Sequence, residues 1–162
     1  MLSVNAADKP QKLVDYVDIQ RFMGDWYVIS SIPTMFEKGA VNAIETYTWN
    51  EKKGIVDVGF TYRKDSQDGP VKNMTQRGFI YDTESNAEWR VQPLWPLKLG
   101  YLIIDLADDY SYTVVGVPNR NYLWIMARET SLSDSVYQGI LDRVAEQGYD
   151  LNAIQMVPQI WD

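Results

Sequence analysis

The 162-residue chain contains no cysteine and no histidine, and its 15 Lys plus Arg against 22 Asp plus Glu give a formal charge of −7. Disulfides, zinc ribbons, iron–sulfur clusters and thiol nucleophiles all need Cys, while Ser-His-Asp triads and proximal haem ligands need His, so these chemistries are excluded. The acidic balance argues against a nucleic-acid partner, and the length suits one domain.

Residues 1–12 are mostly polar and are expected to be flexible, with a single domain over 13–162. The first seven residues are too few to hold the charged and apolar parts of a secretory signal. The chain is therefore expected either to be cytosolic or to start after a removed leader. No apolar run approaches the roughly 20 residues of a transmembrane helix. Segments rich in β-branched and aromatic residues predict strands at 26–31, 44–49, 55–62, 74–81, 89–91, 101–106, 110–117 and 122–127. Turn-forming residues separate them at 50–54, 65–70, 82–87, 107–109 and 118–121. Residues 133–148 break this pattern, with Val136, Ile140, Leu141 and Val144 near the helical period. Ser133 or Asp134 is placed to cap that helix, and Gly148 to stop it. Short connections favour antiparallel neighbours. The expected fold is all-β: an eight-stranded antiparallel up-and-down barrel with one C-terminal α-helix packed outside. Closure removes the exposed edges, and eight strands leave room for one small ligand. A sandwich without a cavity is the alternative.

Three motifs in order resemble the lipocalin family. Gly24-Asp25-Trp26 opens the first strand as Gly-x-Trp. Asp108-Asp109-Tyr110 resembles the family's acidic turn between the sixth and seventh strands. Arg128 ends the eighth strand, just before the helix. The fit runs from about residue 14 to 157 and is most similar to the bacterial lipocalin and apolipoprotein D branch. The resemblance implies structural roles for Gly24, Trp26, Tyr110 and Arg128, with the Arg128 guanidinium across the Trp26 indole at the closed end. Such a cation–π contact is worth about 0.5–2 kcal/mol. Residues 32–42 would partly lid the open end, or form a merely tolerated surface loop.

The family register, with Trp26 inward, implies which alternate side chains face the bore. On the first strand these are Val28 and Ser30. Ala43, Glu45, Tyr47 and Trp49 follow on the second, and Val56, Val58, Phe60 and Tyr62 on the third. Gln76, Gly78 and Ile80 come from the fourth strand, Trp89 and Val91 from the fifth, and Tyr101 and Ile103 from the sixth. Thr113 and Val115 complete the seventh strand, and Tyr122, Trp124 and Met126 the eighth. The set is mostly apolar with a few polar tips, as in a small-molecule pocket, although the same side chains can instead fill the barrel. Glu45 stands out, because an unpaired buried carboxylate is costly. It is read in three ways: in water near the open end, paired inside with a Tyr hydroxyl or Gln76, or bound to a polar or cationic ligand head group. Residues 93–100 are apolar for a connection. Trp95, Leu97 and Leu99 there form an exposed patch for membrane, partner or dimer contacts, or fold back over the entrance.

What the resemblance implies is binding, transport or storage of a small hydrophobic ligand, a fatty acid or (lyso)phospholipid, without a cofactor or metal. Bacterial members are commonly outer-membrane lipoproteins facing the periplasm, anchored by a lipidated Cys that this sequence lacks. No catalysis is expected. Lipocalin-like isomerases use a pocket Cys and haem-carrying relatives use His, and Gly54, Gly59 and Gly69 form no phosphate loop. Two other readings compete: a catalytic barrel acting on a hydrophobic substrate, and an interaction module with a filled barrel.

Overall fold

The computed structural model describes residues 5–93 and 97–162. A four-residue helix, α1 (Ile19–Phe22), leads into β1 (Gly24–Ile32), β2 (Ala40–Asn50), β3 (Ile55–Lys64) and β4 (Val71–Ile80). After these come β5 (Glu88–Gln92), β6 (Leu99–Leu106), β7 (Tyr112–Gly116), β8 (Leu123–Ala127), α2 (Asp134–Glu146) and a two-residue β9 (Gln155–Met156). Each of β2 to β8 pairs antiparallel with the next, β8 pairs with β1, and β1 returns to β2, so the sheet closes into a barrel. All eight predicted strands are present. The seventh begins later than expected because Tyr110 takes positive φ, 61°, in the turn before it. The connection expected over 32–42 shortens to residues 33–39, because β1 and β2 both run further toward the open end.

The ninth strand has no counterpart in the sequence reading. The β1–β2 seam is hydrogen-bonded only where Gly24–Tyr27 face Ile44–Tyr47. Further toward the open end β1 pairs instead with β9, through Ser30 and Ser31. A bulge in β2 at Asn42, with φ 54°, turns that strand away. The C-terminal tail fills the gap. Asn42 Nδ2 donates to the Ile160 carbonyl at 2.9 Å, and Gln159 Nε2 bridges the Val28 and Ala43 carbonyls at 2.9 and 3.0 Å. These backbone groups would otherwise lack partners in a half-open seam.

A second bulge, in β1 between Val28 and Ser30, reverses the side-chain alternation. Val28 faces the bore as expected. Ser30 does not, because its hydroxyl accepts from the Tyr137 hydroxyl of α2 at 2.9 Å, on the outer face. The inward assignment of Ser30 is thus corrected: a bulge inserts one residue, and one residue flips the face.

The outer core lies between α2 and the β6–β7–β8 face, where Ile140 and Val144 pack with Ile104, Val114, Leu123 and Ile125. Ser133 caps α2 by accepting from Val136 N, and Gly148 follows the helix at φ 91°. The packed stripe is Tyr137, Ile140, Leu141 and Val144, spaced i, i+3, i+4, i+7. Val136, expected on that stripe, is 38% exposed. The N-terminal segment, expected to be flexible, makes several hydrogen bonds. Arg120 Nη1 donates to the Ala7 carbonyl at 2.9 Å, and Gln11 Nε2 to the Val117 carbonyl at 2.8 Å. None of the described helices is long and apolar enough to cross a membrane.

Candidate functional site

The closed end of the bore is sealed by aromatic rings. α1 is capped by Asp18 and drives Phe22 inward, where it is fully buried against Trp26, Tyr47 and Trp89 at centroid distances of 5.2, 5.2 and 5.6 Å. Trp26 Nε1 donates to the Phe22 carbonyl at 2.9 Å. The Arg128 guanidinium lies 3.7 Å from the Trp26 ring centroid. Its nitrogens donate to the Asp25, Arg21, Phe22 and Met23 carbonyls at 2.8, 2.8, 3.2 and 2.9 Å. Gly24, at φ 100°, makes the tight turn under this guanidinium. Tyr110 stands at the same end, where its hydroxyl accepts from Asp18 N at 2.8 Å.

Above this floor the inward set comes together. Val28, Ala43, Tyr47, Val58, Phe60, Trp89, Val91, Tyr101, Ile103, Val115 and Met126 form one buried cluster, with Ile80 and Trp124 half-buried against it. Thr113 is fully buried, and its hydroxyl donates to the Asp105 carbonyl at 2.8 Å, so it presents no free donor to the bore. Gln76 is half-buried beside Val58 on the neighbouring strand. A column of rings climbs the bore: Trp89 stacks on Tyr101 at 5.5 Å, and Tyr101 on Trp124 at 6.1 Å. The Tyr47 and Tyr101 hydroxyls are hydrogen-bonded to each other.

The column ends at a residue that the sequence reading missed. Glu37, in the 33–39 connection, turns its carboxylate inward and is 9% exposed. It accepts from Trp124 Nε1 at 3.3 and 3.2 Å and from Thr34 N at 3.2 Å. The Tyr62 hydroxyl holds the same connection by donating to the Phe36 carbonyl at 2.7 Å. Two bore side chains thus clasp the connection over the mouth. A Glu between Phe36 and Lys38 carries no sequence signal for burial, because the contact depends on a tryptophan 87 positions later.

Glu45 lies between floor and mouth, opposite Trp26 and Phe60 on the flanking strands. It is 8% exposed. Among the described residues its buried Oε2 has no hydrogen-bond partner. It is therefore neither in water nor paired with Gln76 or a tyrosine through that oxygen. Burial pushes its pKa up to about 8, with the negative Glu37 adding to the effect. Burial also raises Glu37, against hydrogen bonds from Thr34 and Trp124 that lower it. Tyr47 and Tyr101 are likewise raised, chiefly by burial.

Trp95 lies outside the described residues, while its neighbours Leu97 and Leu99 are 54% and 46% exposed. The surface grooves are elsewhere. One lies between residues 6–15 and α2, and another against β2–β4 touches the inward set only at Val58 and Gln76. Among the described residues no three acidic side chains gather as metal ligands.

The profile of the lipocalin-like domain matches residues 17–159. This chain belongs to the lipocalin family. Lipocalins typically bind small hydrophobic ligands. The chain is 26% identical over 157 residues to temperature-induced lipocalin-1 of Arabidopsis thaliana, covering 93% of this chain and 84% of that one. It is 28% identical over 147 residues to the outer membrane lipoprotein Blc of Escherichia coli K12, covering 91% and 82%. Among solved structures, insecticyanin from the tobacco hornworm superposes with a TM-score of 0.71 at 15% identity, covering 95% of this lipocalin and 86% of insecticyanin.

Proposed function

We propose that this lipocalin carries or stores a single-chain amphiphile, a fatty acid or lysophospholipid, with its hydrocarbon chain in the bore. The supporting observation is the closed barrel whose inward side chains form one apolar and aromatic wall from Trp26 to Trp124. Burying a chain against such a wall contributes about 0.8 kcal/mol per CH₂, enough for a long chain to offset the cost of association. The ligand enters past the 33–39 connection and displaces rings of the aromatic column. Carriage without turnover is part of the reading, supported by a chain with neither Cys nor His. So is a site at the periplasmic face of an outer membrane, supported by the relatives named outer membrane lipoproteins.

Native mass spectrometry of gently purified protein tests the proposal, together with titration of tryptophan fluorescence by dodecanoate and a lysophospholipid. We expect a co-purified amphiphile and saturable quenching, because Trp89 and Trp124 line the bore. Ligand recovered unchanged after incubation supports a carrier. No bound species and no quenching would establish a barrel filled by its own side chains. A chemically altered ligand would establish catalysis.

A further inference from the structure

The interior of this barrel is acidic. Of the charged residue types, only Glu37 and Glu45 are buried among the described residues. Both belong to the bore side, one hanging from the mouth and one rising from β2. No buried Lys or Arg answers them, and Arg128 lies beneath the floor, committed to four carbonyls. Glu37 has donors from Trp124 and Thr34. Glu45, opposite the inward Trp26, has an enclosed Oε2 with no donor among the described residues. An enclosed acceptor of this kind normally has a partner, and its lack is unfavourable unless something supplies a donor. The Tyr47 and Tyr101 hydroxyls are hydrogen-bonded to each other, which uses one of their two protons, and neither hydroxyl bonds Glu45 Oε2.

We infer that the bore selects amphiphiles carrying a protonated amine, whose N–H donates to Glu45 Oε2 while the hydrophobic body lies along the aromatic column. The inference rests on the proposed binding of a single-chain amphiphile in the bore and, of the two ligands named there, favours a lysophospholipid whose head carries an amine over a fatty acid. An ammonium supplies the missing donor; on binding Glu45 releases its proton to water, and the charge-assisted bond so formed is the stronger kind. The ring faces of Trp89, Tyr101 and Trp124 favour a cation as well. An alcohol of the same length supplies a donor without charge. A carboxylate supplies no donor and brings a negative charge beside two acids. The expected order is amine, then alcohol, then carboxylate.

The test compares decylamine, decanol and decanoate by tryptophan-fluorescence titration at neutral pH, checked by calorimetry, on the wild type, Glu45→Gln and Glu37→Gln. Circular dichroism confirms that each variant is folded. In the wild type the amine is expected to bind about tenfold tighter than the alcohol, the scale of one charge-assisted hydrogen bond. Glu45→Gln is expected to bring that ratio close to one, and Glu37→Gln to lower it partly. Equal affinities for the three probes, or an amine preference that survives Glu45→Gln, would overturn the head-group assignment and leave amphiphile carriage standing. If none of the three binds the wild type, both inferences fall together.

Discussion

A carboxylate enclosed without a donor makes stability depend on pH, and Glu45 sets the direction. In the unfolded chain a glutamate titrates at about 4.3; in the barrel Glu45 is pushed up to about 8. Between these values the unfolded state releases the proton and the native state keeps it. Stability is therefore fully present below the unfolded value and falls as pH rises toward 8. Glu37, also raised, contributes in the same direction. Urea unfolding at pH 5 and pH 8 should show the wild type weaker at pH 8. Glu45→Gln should flatten the difference and gain about 1–3 kcal/mol at pH 8. A wild type equally stable at both pH values would mean that Glu45 finds a donor in solution. Arg128 presents the opposite case. Its charge is answered by four carbonyls and an indole face, so Arg128→Met should cost about 2–3 kcal/mol in urea unfolding, because those acceptors lose their donor. A smaller loss would mean that water replaces the guanidinium.

The barrel is held along its length by unequal seams. Most strands zip to their sequence neighbours, but β1 changes partner halfway, from β2 to β9, and the tail after β9 bridges the gap. Gln159→Ala removes both side-chain bonds to the Val28 and Ala43 carbonyls and should lower stability by about 1–2 kcal/mol. Hydrogen exchange at the open end of the seam should rise with it. Unchanged protection there would show that the seam closes without the tail. The helix docks more conventionally. Ile140 is fully buried between α2 and the sheet, so Ile140→Ala should cost about 2–4 kcal/mol, read from the urea midpoint. These elements were legible in the sequence to different degrees. The strands and helix declared themselves by composition and spacing. The helix phase did not, because Val136 and Tyr137 are adjacent and both can pack. The Ser30–Tyr137 hydroxyl contact settles it in favour of Tyr137.

At the scale of the molecule one continuous sheet separates two apolar cores, the bore inside and the α2 layer outside. The sheet contributes alternate side chains to each, so neither core loosens without disturbing the other. We therefore expect the near-ultraviolet signal of the ring column and the far-ultraviolet signal of the backbone to fall in one coincident transition. Separate transitions would show the helix layer detaching before the barrel opens. The 33–39 connection stands apart, since few side chains hold it: Glu37 on Trp124 and Tyr62 on the Phe36 carbonyl. In the proposed mode of binding it is the part of the mouth that yields to the ligand while the sheet stays closed.

The sequence by itself determined the number and order of the barrel strands, the outer helix with its Ser133 cap, the lipocalin motifs and the apolar character of the inward set. These follow from local periodicity and turn chemistry, which act over a few residues. Only the tertiary structure decided which face Ser30 takes, because a one-residue bulge reverses alternation without leaving a mark in composition. Only tertiary structure brought β9 and the tail into the β1–β2 seam, since a two-residue strand has no periodicity to read. The electrostatics of the bore belong to the same class. Burial of Glu37 depends on distant Trp124, and the solitude of Glu45 Oε2 on the absence of a donor among the described residues around it. The zero counts of Cys and His limited which chemistry the bore could hold; the packing of the bore decided that it encloses two acids and no base among the described residues.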